Sequence, residues 1–451
     1  MKKKALLAIL LVATLLLSSC NLIKKDEAVD AATVILKLGE KEITKSEVQD
    51  ATQNVLAEYY QYYAMLYGQQ VDLTDKSLVA SAQDEAINRL KQDMTLRAKA
   101  AELGLDQLTD EETAQAKEAA ENDLENAKSY IKDYYLTEDQ KALEGEELEA
   151  AIQEQLDGMG ITLDTYLTEE TDSIIDQKVH DYAVKDVEVS DDEVRAAYDE
   201  KVAADEEKYK EDASTWTSRD RSGTTTLYYA PAGVRRVRQI LIKFTDEDQA
   251  AVDEAKAKAD EAQTKVDNAQ AIIDNEEASE EDKAKAQEDL AAAQAELDAA
   301  NEALQAATDA GYANVEAEAD AVLEALKENP DSWDDLVKEK NGDPGMKEGA
   351  LNAERGYSVC AGMSGFDTAF VDAAMALSSI GDVSDKVRGS SNGWYIIKYV
   401  SDVAEGAVDY DSVKDDIHDD LLSDKKDEVY TEAVTKWVEE AGIKENLGAL
   451  D

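Results

Sequence analysis

Histidine is nearly missing from this chain: of 451 residues only His180 and His418 carry an imidazole. Cysteine is as rare, with Cys20 and Cys360 the only two, so no disulfide framework is available and stability must come from a packed core. Proline occurs three times in all and nowhere between residues 47 and 212, which leaves that stretch free to run as helix. Basic side chains are outnumbered, 47 against 102 acidic ones, for a formal net charge of −55. Nucleic acid and anionic lipid are poor partners for such a surface. The acidity reads as a solvated surface, with attraction for basic polypeptide segments as the secondary reading. No nucleotide-binding loop, metal-ligand cluster or nucleophile motif stands out, so neither a metal nor a cofactor is expected. The length leaves room for two or three domains.

What is present begins at the N-terminus. Three lysines after Met1, an apolar run over residues 5–17 and then Leu17-Ser18-Ser19-Cys20 follow the order of an export signal. The apolar run falls short of the ~20 residues that span a bilayer as a helix. Leu-Ser-Ser-Cys resembles the lipobox of bacterial lipoproteins, which implies a signal peptide over 1–19, a lipid on Cys20 as the mature N-terminus, and a polar tether over 20–32 holding the protein to the outer face of a cell membrane. With Cys20 acylated, Cys360 has no partner for an internal disulfide.

Residues 33–43 form a β-rich run turning at Gly39, and Thr44-Lys-Ser-Glu47 reads as a capping box opening a helix. From there to about residue 212 the apolar spacing is helical, as in Ile87, Leu90, Met94 and Leu96. Tyrosines gather at Tyr59, Tyr60, Tyr62, Tyr63 and Tyr67; the spacing reads as helix core in preference to an adaptable apolar surface. Residues 213–232 read as a linker around the polar stretch 214–223. A mixed domain follows over 233–403, with β-rich runs at 234–244 and 393–400. Between them lies an insert, 249–309. Val252, Ala255, Ala259, Ala262, Val266, Ala269 and Ile273 recur at steps of three and four, and so does a second series from Ala286 to Ala307, which together predict an antiparallel coiled-coil hairpin. Residues 408–451 are again helical and need a partner, which the first helical domain, 33–212, would supply.

Without its insert, the segment 234–400 resembles the parvulin family of peptidyl-prolyl isomerases. The stretches that carry the resemblance are Val237-Arg-Gln-Ile-Leu241, Asp343-Pro-Gly, Gly349-Ala-Leu351, Phe370-Val-Asp-Ala-Ala-Met-Ala-Leu377, Gly381-Asp-Val-Ser384 and Gly393-Trp-Tyr-Ile-Ile397. The resemblance implies a proline pocket lined by Leu351, Phe366 and Phe370, with Met363 as a substitute, and a catalytic role for Asp343 near the carbonyl. The family's strand histidines are replaced here by Gln239 and Tyr395, which can still donate hydrogen bonds. The implied task needs no metal and no covalent intermediate: rotation about an X-Pro bond crosses ~18–20 kcal/mol because amide resonance is lost on twisting.

With the lipobox before it and helices on both sides, the chain resembles the PrsA-type foldase lipoproteins of Gram-positive bacteria, with a SurA-like helical chaperone domain. The expected fold is α+β: a helical chaperone-like domain and a parvulin domain, a small antiparallel sheet with surrounding helices, interrupted by the hairpin. The resemblance implies a foldase for unfolded or partly folded exported proteins. Two readings stay open, a prolyl isomerase and a holdase chaperone whose parvulin domain binds without turnover. The clients and the oligomeric state are not written in the sequence.

Overall fold

The computed structural model describes residues 27–67, 72–390 and 392–450. The signal segment, Cys20 and most of the tether lie outside the described residues. The chain divides into two compact units, one made of residues up to Val189 together with those from Asp419 onward, the other of Ser190–His418.

In the first unit, strands β1 (Val34–Leu38) and β2 (Lys41–Thr44) pair antiparallel around Gly39, whose positive φ makes the tight turn, and Lys444–Glu445 adds a third strand along β1. Thr44 N and Oγ1 each donate to Glu47 Oε2 at 2.7 Å, the capping box that opens helix α1 (Lys45–Tyr67). Ile35, Leu36 and Ile43 of the hairpin pack with Val48 of α1 and with Ile87 and Met94 of α2 (Lys76–Leu103). Helices α3 (Asp110–Tyr134), α4 (Glu146–Met159) and α5 (Leu163–Val184) complete the unit. Ile131 of α3 packs with Ile152 and Leu156 of α4, while Ala100 of α2 meets Ile175 and Val179 of α5 beside Trp437 of the C-terminal helix Lys414–Ala441.

The tyrosine-rich end of α1 departs from the expected core. Tyr59 and Tyr60 are half-buried, but Tyr62, Tyr63 and Met65 are exposed, and the Tyr67 side chain lies outside the described ones. The reason is geometric: the apolar residues at the start of α2, Leu78, Val79 and Ala82, already pack with Val55, Leu56 and Tyr59. Among the described residues, that cluster ends at Tyr59 on α1 and does not extend to the next turn.

The second unit opens with α6 (Asp191–Tyr209) and α7 (Ala213–Ser222), followed by a short strand β3 (Tyr229–Ala230) and the long strand β4 (Arg235–Lys243). Two long helices come next, α8 (Asp246–Asp274) and α9 (Glu280–Glu328), then α10 (Trp333–Lys340), α11 (Leu351–Arg355), β5 (Tyr357–Val359) and α12 (Thr368–Ala376). Strands β6 (Val387–Arg388), β7 (Gly393–Asp402) and β8 (Gly406–Ala407) follow. The sheet order is β5-β4-β7-β6, antiparallel throughout, with Gln239 opposite Ile397 and Leu241 opposite Tyr395. Helices cover both faces, so β4 is buried continuously from Gln239 to Ile242 and β7 from Tyr395 to Ile397. On one face Val237, Leu241, Tyr395 and Ile397 pack against Phe370 and Val371 of α12. On the other, Ile240, Ile242 and Ile396 pack against Tyr312, Val315, Val322 and Leu326 of α9 and Trp333 of α10.

Residues 213–232 are not a linker. Trp216 of α7 is buried in the same cluster as Val237 and Phe370 and donates from Nε1 to the Tyr229 carbonyl at 2.6 Å. Arg236 clasps Asp220 with two hydrogen bonds of 3.0 Å, a bidentate pair that ties α7 to the sheet. Its polar sequence misled because those polar groups are paired inward. Tyr209 of α6 joins this cluster too, so the boundary between units falls at Val189/Ser190 and not near residue 212. The insert is an antiparallel pair of helices joined through residues 275–279, with Ala255, Ala259, Ala262 and Ala269 facing Ala286, Ala293 and Leu297, and Lys265 Nζ reaching Glu296 Oε2 at 2.7 Å. Its second arm does not end at 309, however. Helix α9 continues without a break into the layer beneath β4 and β7.

Candidate functional site

The sheet face under α12 holds one polar side chain where the pattern calls for an apolar one. Gln239 points into the core between Val237 and Leu241, 5% exposed, and its Nε2 donates to Asp343 Oδ2 at 2.6 Å. Asp343 is itself buried, at the start of the turn Pro344–Met346, where its Oδ1 accepts from Gly345 N at 2.8 Å. Its own amide donates at 3.0 Å to Asn341 Oδ1, which also accepts from Leu241 N at 2.8 Å, so the loop is pinned to β4. The turn role and the site role of Asp343 coincide. A third donor completes the carboxylate shell: Tyr357 Oη, from β5, gives its proton to Asp343 Oδ2 at 3.0 Å. Burial first, and the Asp343 charge second, push the Tyr357 phenol up, so it stays a neutral donor. Gly345 has to be glycine, because a Cβ there would fall on the Tyr357 hydroxyl.

Four rings lead away from this carboxylate. Tyr357 meets Phe366 at 5.3 Å, Phe366 meets Phe370 at 5.4 Å, and Phe370 meets Tyr395 at 5.3 Å. Edge-on and tilted contacts of this kind add to the apolar burial of the rings. Phe370 is fully buried and Phe366 half-buried, so Phe366 presents the more accessible ring. The Arg221 guanidinium from α7 lies 4.4 Å from the Phe366 ring centre, and its Nη1 donates to the Ser358 carbonyl at 3.1 Å and touches Met363 Sδ at 4.0 Å. Burial pushes the Arg221 pKa down from its usual value.

Five of the seven residues named from the sequence as site residues, Gln239, Asp343, Tyr395, Phe366 and Phe370, are linked through this carboxylate and ring series, and Met363 flanks it through Arg221. Tyr395 occupies the expected strand position but not the expected network: its hydroxyl donates to Asn392 Oδ1 at 3.1 Å, and only its ring joins the series. Leu351 is a correction. It stands 52% exposed at the start of α11, with its side chain against Gly223, and belongs to none of the buried clusters around the rings. The seven residues between Asp343 and Leu351 turn through the short helix Pro344–Met346, and the helix that follows buries Asn352 and Ala353 while leaving Leu351 exposed. Tyr357 and Arg221 were missed. A tyrosine following Gly356 in a short β-rich run was the available sign of the first; the second sits in what read as linker. Neither histidine is here; His180 packs its ring on Tyr430 at 4.8 Å in the helical unit.

The network is closed on itself. Tyr357 has one proton and Asp343 takes it, while Gln239 keeps a second N–H and a buried Oε1 without a hydrogen-bond partner among the described residues. Such a site can grip an apolar ring against Phe366 and Met363 and can orient a single amide donor toward a carbonyl. It has no side chain that changes charge near neutral pH in the way an imidazole does.

An α+β protein with a helical unit and a unit built on a four-stranded antiparallel sheet is the class this architecture defines. Comparison with known proteins is more specific. Over 130 residues the chain is 35% identical to the foldase protein PrsA of Clostridium botulinum, a stretch that makes up 29% of this chain and 37% of that one. Over 200 residues it is 30% identical to the foldase protein PrsA of Clostridium perfringens, covering 44% of this chain and 52% of the relative. The matched stretches thus span between about a third and about a half of these relatives' own length. The crystal structure of foldase protein PrsA from Streptococcus pneumoniae aligns over 93% of this chain and 97% of its own, at 14% identity and a TM-score of 0.26. No family model matches the chain. The sequence matches bear out the resemblance to PrsA-type foldases.

Proposed function

We propose that this protein is an extracytoplasmic foldase of the PrsA type, which binds non-native exported proteins and isomerises X-Pro bonds weakly at the ring series beside Asp343. The observation that carries the proposal is the juxtaposition of four aromatic rings with a buried carboxylate that accepts from Gln239, Tyr357 and Gly345. Isomerisation requires an apolar seat for the proline ring and polar groups that favour the twisted, less conjugated amide over the planar one. Phe366 and Met363 supply the seat, with Phe370 packed behind Phe366 to hold it. Gln239, aimed by Asp343, supplies the donor. A neutral hydrogen bond of this kind is worth ~0.5–1.5 kcal/mol net, which supports a modest rate and not the full rate of an imidazole site.

Attachment to the membrane rests on Leu17-Ser18-Ser19-Cys20. Among the described residues no helix is long and apolar enough to cross a membrane, which is compatible with a lipid anchor. Two acyl chains on Cys20 would hold the protein firmly where one would be marginal.

The second reading, a holdase without turnover, is favoured by the closure of the Tyr357–Asp343 bond. One experiment separates the two. Prolyl isomerisation of a short peptide is followed by exchange NMR on the full chain and on Asp343→Ala, alongside suppression of aggregation of a denatured client. The foldase reading expects slow turnover that Asp343→Ala reduces while aggregation suppression persists. Absence of turnover in the unsubstituted chain, with suppression intact, leaves the holdase.

A further inference from the structure

The helical unit carries an opening of its own. A groove of about 630 Å³ lies where α3, the end of α4 and the start of α5 meet, walled by Tyr130, Ile131, Tyr135, Met159 and Tyr166, with Asp123 on its rim. Its volume is in the range that takes a large side chain and part of the chain bearing it. Tyr130 is 53% exposed and Met159 41%, although both are large and apolar enough to be buried elsewhere. Tyr130 is also stacked against Tyr134 at 4.8 Å and Tyr135 at 5.8 Å, so the aromatic surface continues beyond the groove. Rings and a thioether form a surface that accommodates varied apolar shapes at little cost in side-chain entropy.

We propose that this groove binds an extended polypeptide segment in which an aromatic or branched apolar side chain is flanked by lysine or arginine. The inference rests on the client-binding reading above and names the chemistry of the client at one place. Charge complementarity decides the occupant. No basic side chain lines the groove, and Lys128, on the same helix, is held by Glu125 at 2.6 Å. Asp123 and Glu169 stand close enough to Tyr166 to add to the effect of burial in pushing its phenol up. A cation leaving the groove finds Asp123 and the exposed faces of Tyr130 and Tyr134, which attract it through the ring quadrupole. The net charge of −55 steers basic segments in and repels acidic ones at low ionic strength.

The test uses the full chain and two fluorescein-labelled peptides sharing a Phe-Leu centre, one flanked by lysines and one by glutamates, read by fluorescence anisotropy at low and at physiological salt. The lysine peptide should bind about tenfold tighter or more, a difference of ~1.4 kcal/mol, with the gap narrowing as salt rises. Tyr130→Ser should weaken it about tenfold, and Asp123→Lys should shrink or invert the preference; circular dichroism and thermal unfolding of each variant establish that it is folded before its binding is read. Equal affinity for the two peptides, or variants that fold and bind like the unsubstituted chain, overturns the proposal. Aggregation suppression measured in parallel keeps the two ideas apart. If the chain suppresses aggregation while Tyr130→Ser and Asp123→Lys change nothing, clients bind elsewhere and the groove assignment fails alone. If it neither suppresses aggregation nor binds either peptide, the client-binding reading fails with it.

Discussion

Replacing Tyr357 by phenylalanine removes one oxygen and tests the assignment of the polar network. In the intact protein the Tyr357 hydroxyl donates to Asp343 Oδ2 at 3.0 Å, alongside Gln239 Nε2 at 2.6 Å and Gly345 N at 2.8 Å on the other oxygen. The ring keeps its contact with Phe366 at 5.3 Å, so packing is conserved. A hydrogen bond to a charged group is worth ~1.5–3 kcal/mol, and the other two donors retain the carboxylate, so Tyr357→Phe should cost ~1.5–2 kcal/mol in urea unfolding at pH 7. The pH dependence of that cost has a definite sign. The folded phenol is raised above its unfolded value, so its contribution is fully present below the unfolded tyrosine value of ~10 and is lost as the pH climbs from there toward the folded one. The gap between the two proteins should therefore be constant from pH 7 to about pH 9 and should close on the alkaline side. Turnover should fall several-fold, because Asp343 loses one of the groups that hold it under Gln239. A gap that stays the same through pH 11, or one absent at pH 7, would refute the placement of the hydroxyl on Asp343.

Two further predictions follow from residues whose positions the sequence assigned unequally well. Phe370→Ala empties a fully buried site between Phe366 and Tyr395 and should destabilise the sheet unit by ~3–5 kcal/mol with loss of prolyl turnover, whereas Leu351→Ala, at an exposed position, should change stability by no more than ~0.5 kcal/mol and leave turnover as it was. Thermal unfolding and peptide exchange NMR on both variants check this, and a Leu351 effect as large as that of Phe370 would return Leu351 to the pocket. Trimming residues 259–302 and joining the stumps through a short Gly/Ser turn should leave cooperative unfolding intact, because Val252, Leu304 and Ala307, which pack on the sheet unit's core, are kept. Loss of a cooperative transition in that variant would mean that the outer hairpin contributes to the core.

Much of the sheet unit was legible because its central strands are long and buried on both faces. Val237-Arg-Gln-Ile-Leu241 and Gly393-Trp-Tyr-Ile-Ile397 announce themselves by β-branched and aromatic content, whereas Gln239 and Tyr395 within them were singled out by the family resemblance, as the residues standing where the family carries histidines. Phe366 and Phe370 were named through the family resemblance alone, since one lies in a loop and the other on the helix after it. Tyr357 was not legible, since β5 is three residues long and its bond to Asp343 spans a loop that no periodicity describes. Arg221, Trp216 and Asp220 were hidden because a helix whose polar residues pair inward has the composition of a linker. Leu351 was placed in the pocket by the family resemblance, but its short helix buries Asn352 and Ala353 and turns Leu351 outward. The exposed Tyr62 and Tyr63 show the converse error: apolar character predicts burial only where a facing element has surface left to offer.

Helix α9 has one feature whose consequence is thermal. It is a single helix of 49 residues, yet its two halves rest on different foundations. The outer half buries Ala286, Ala293 and Leu297, small groups for the most part; the inner half buries Tyr312, Val315, Val322, Leu323 and Leu326. Its one glycine, Gly311, stands at the junction, where a Cβ would come 3.0 Å from the Phe244 ring. A side chain there would make the ring give way, and glycine is also the weakest link in a helix interior by ~1 kcal/mol relative to alanine. Amide protons on the two sides of Gly311 therefore belong to different opening reactions: those toward Asn275 exchange as the arm frays from its tip, those toward Glu328 only when the sheet unit itself opens. A structure continuous in space is in this way divided in time, and the arm can melt and reform while the floor beneath β4 and β7 stays in place.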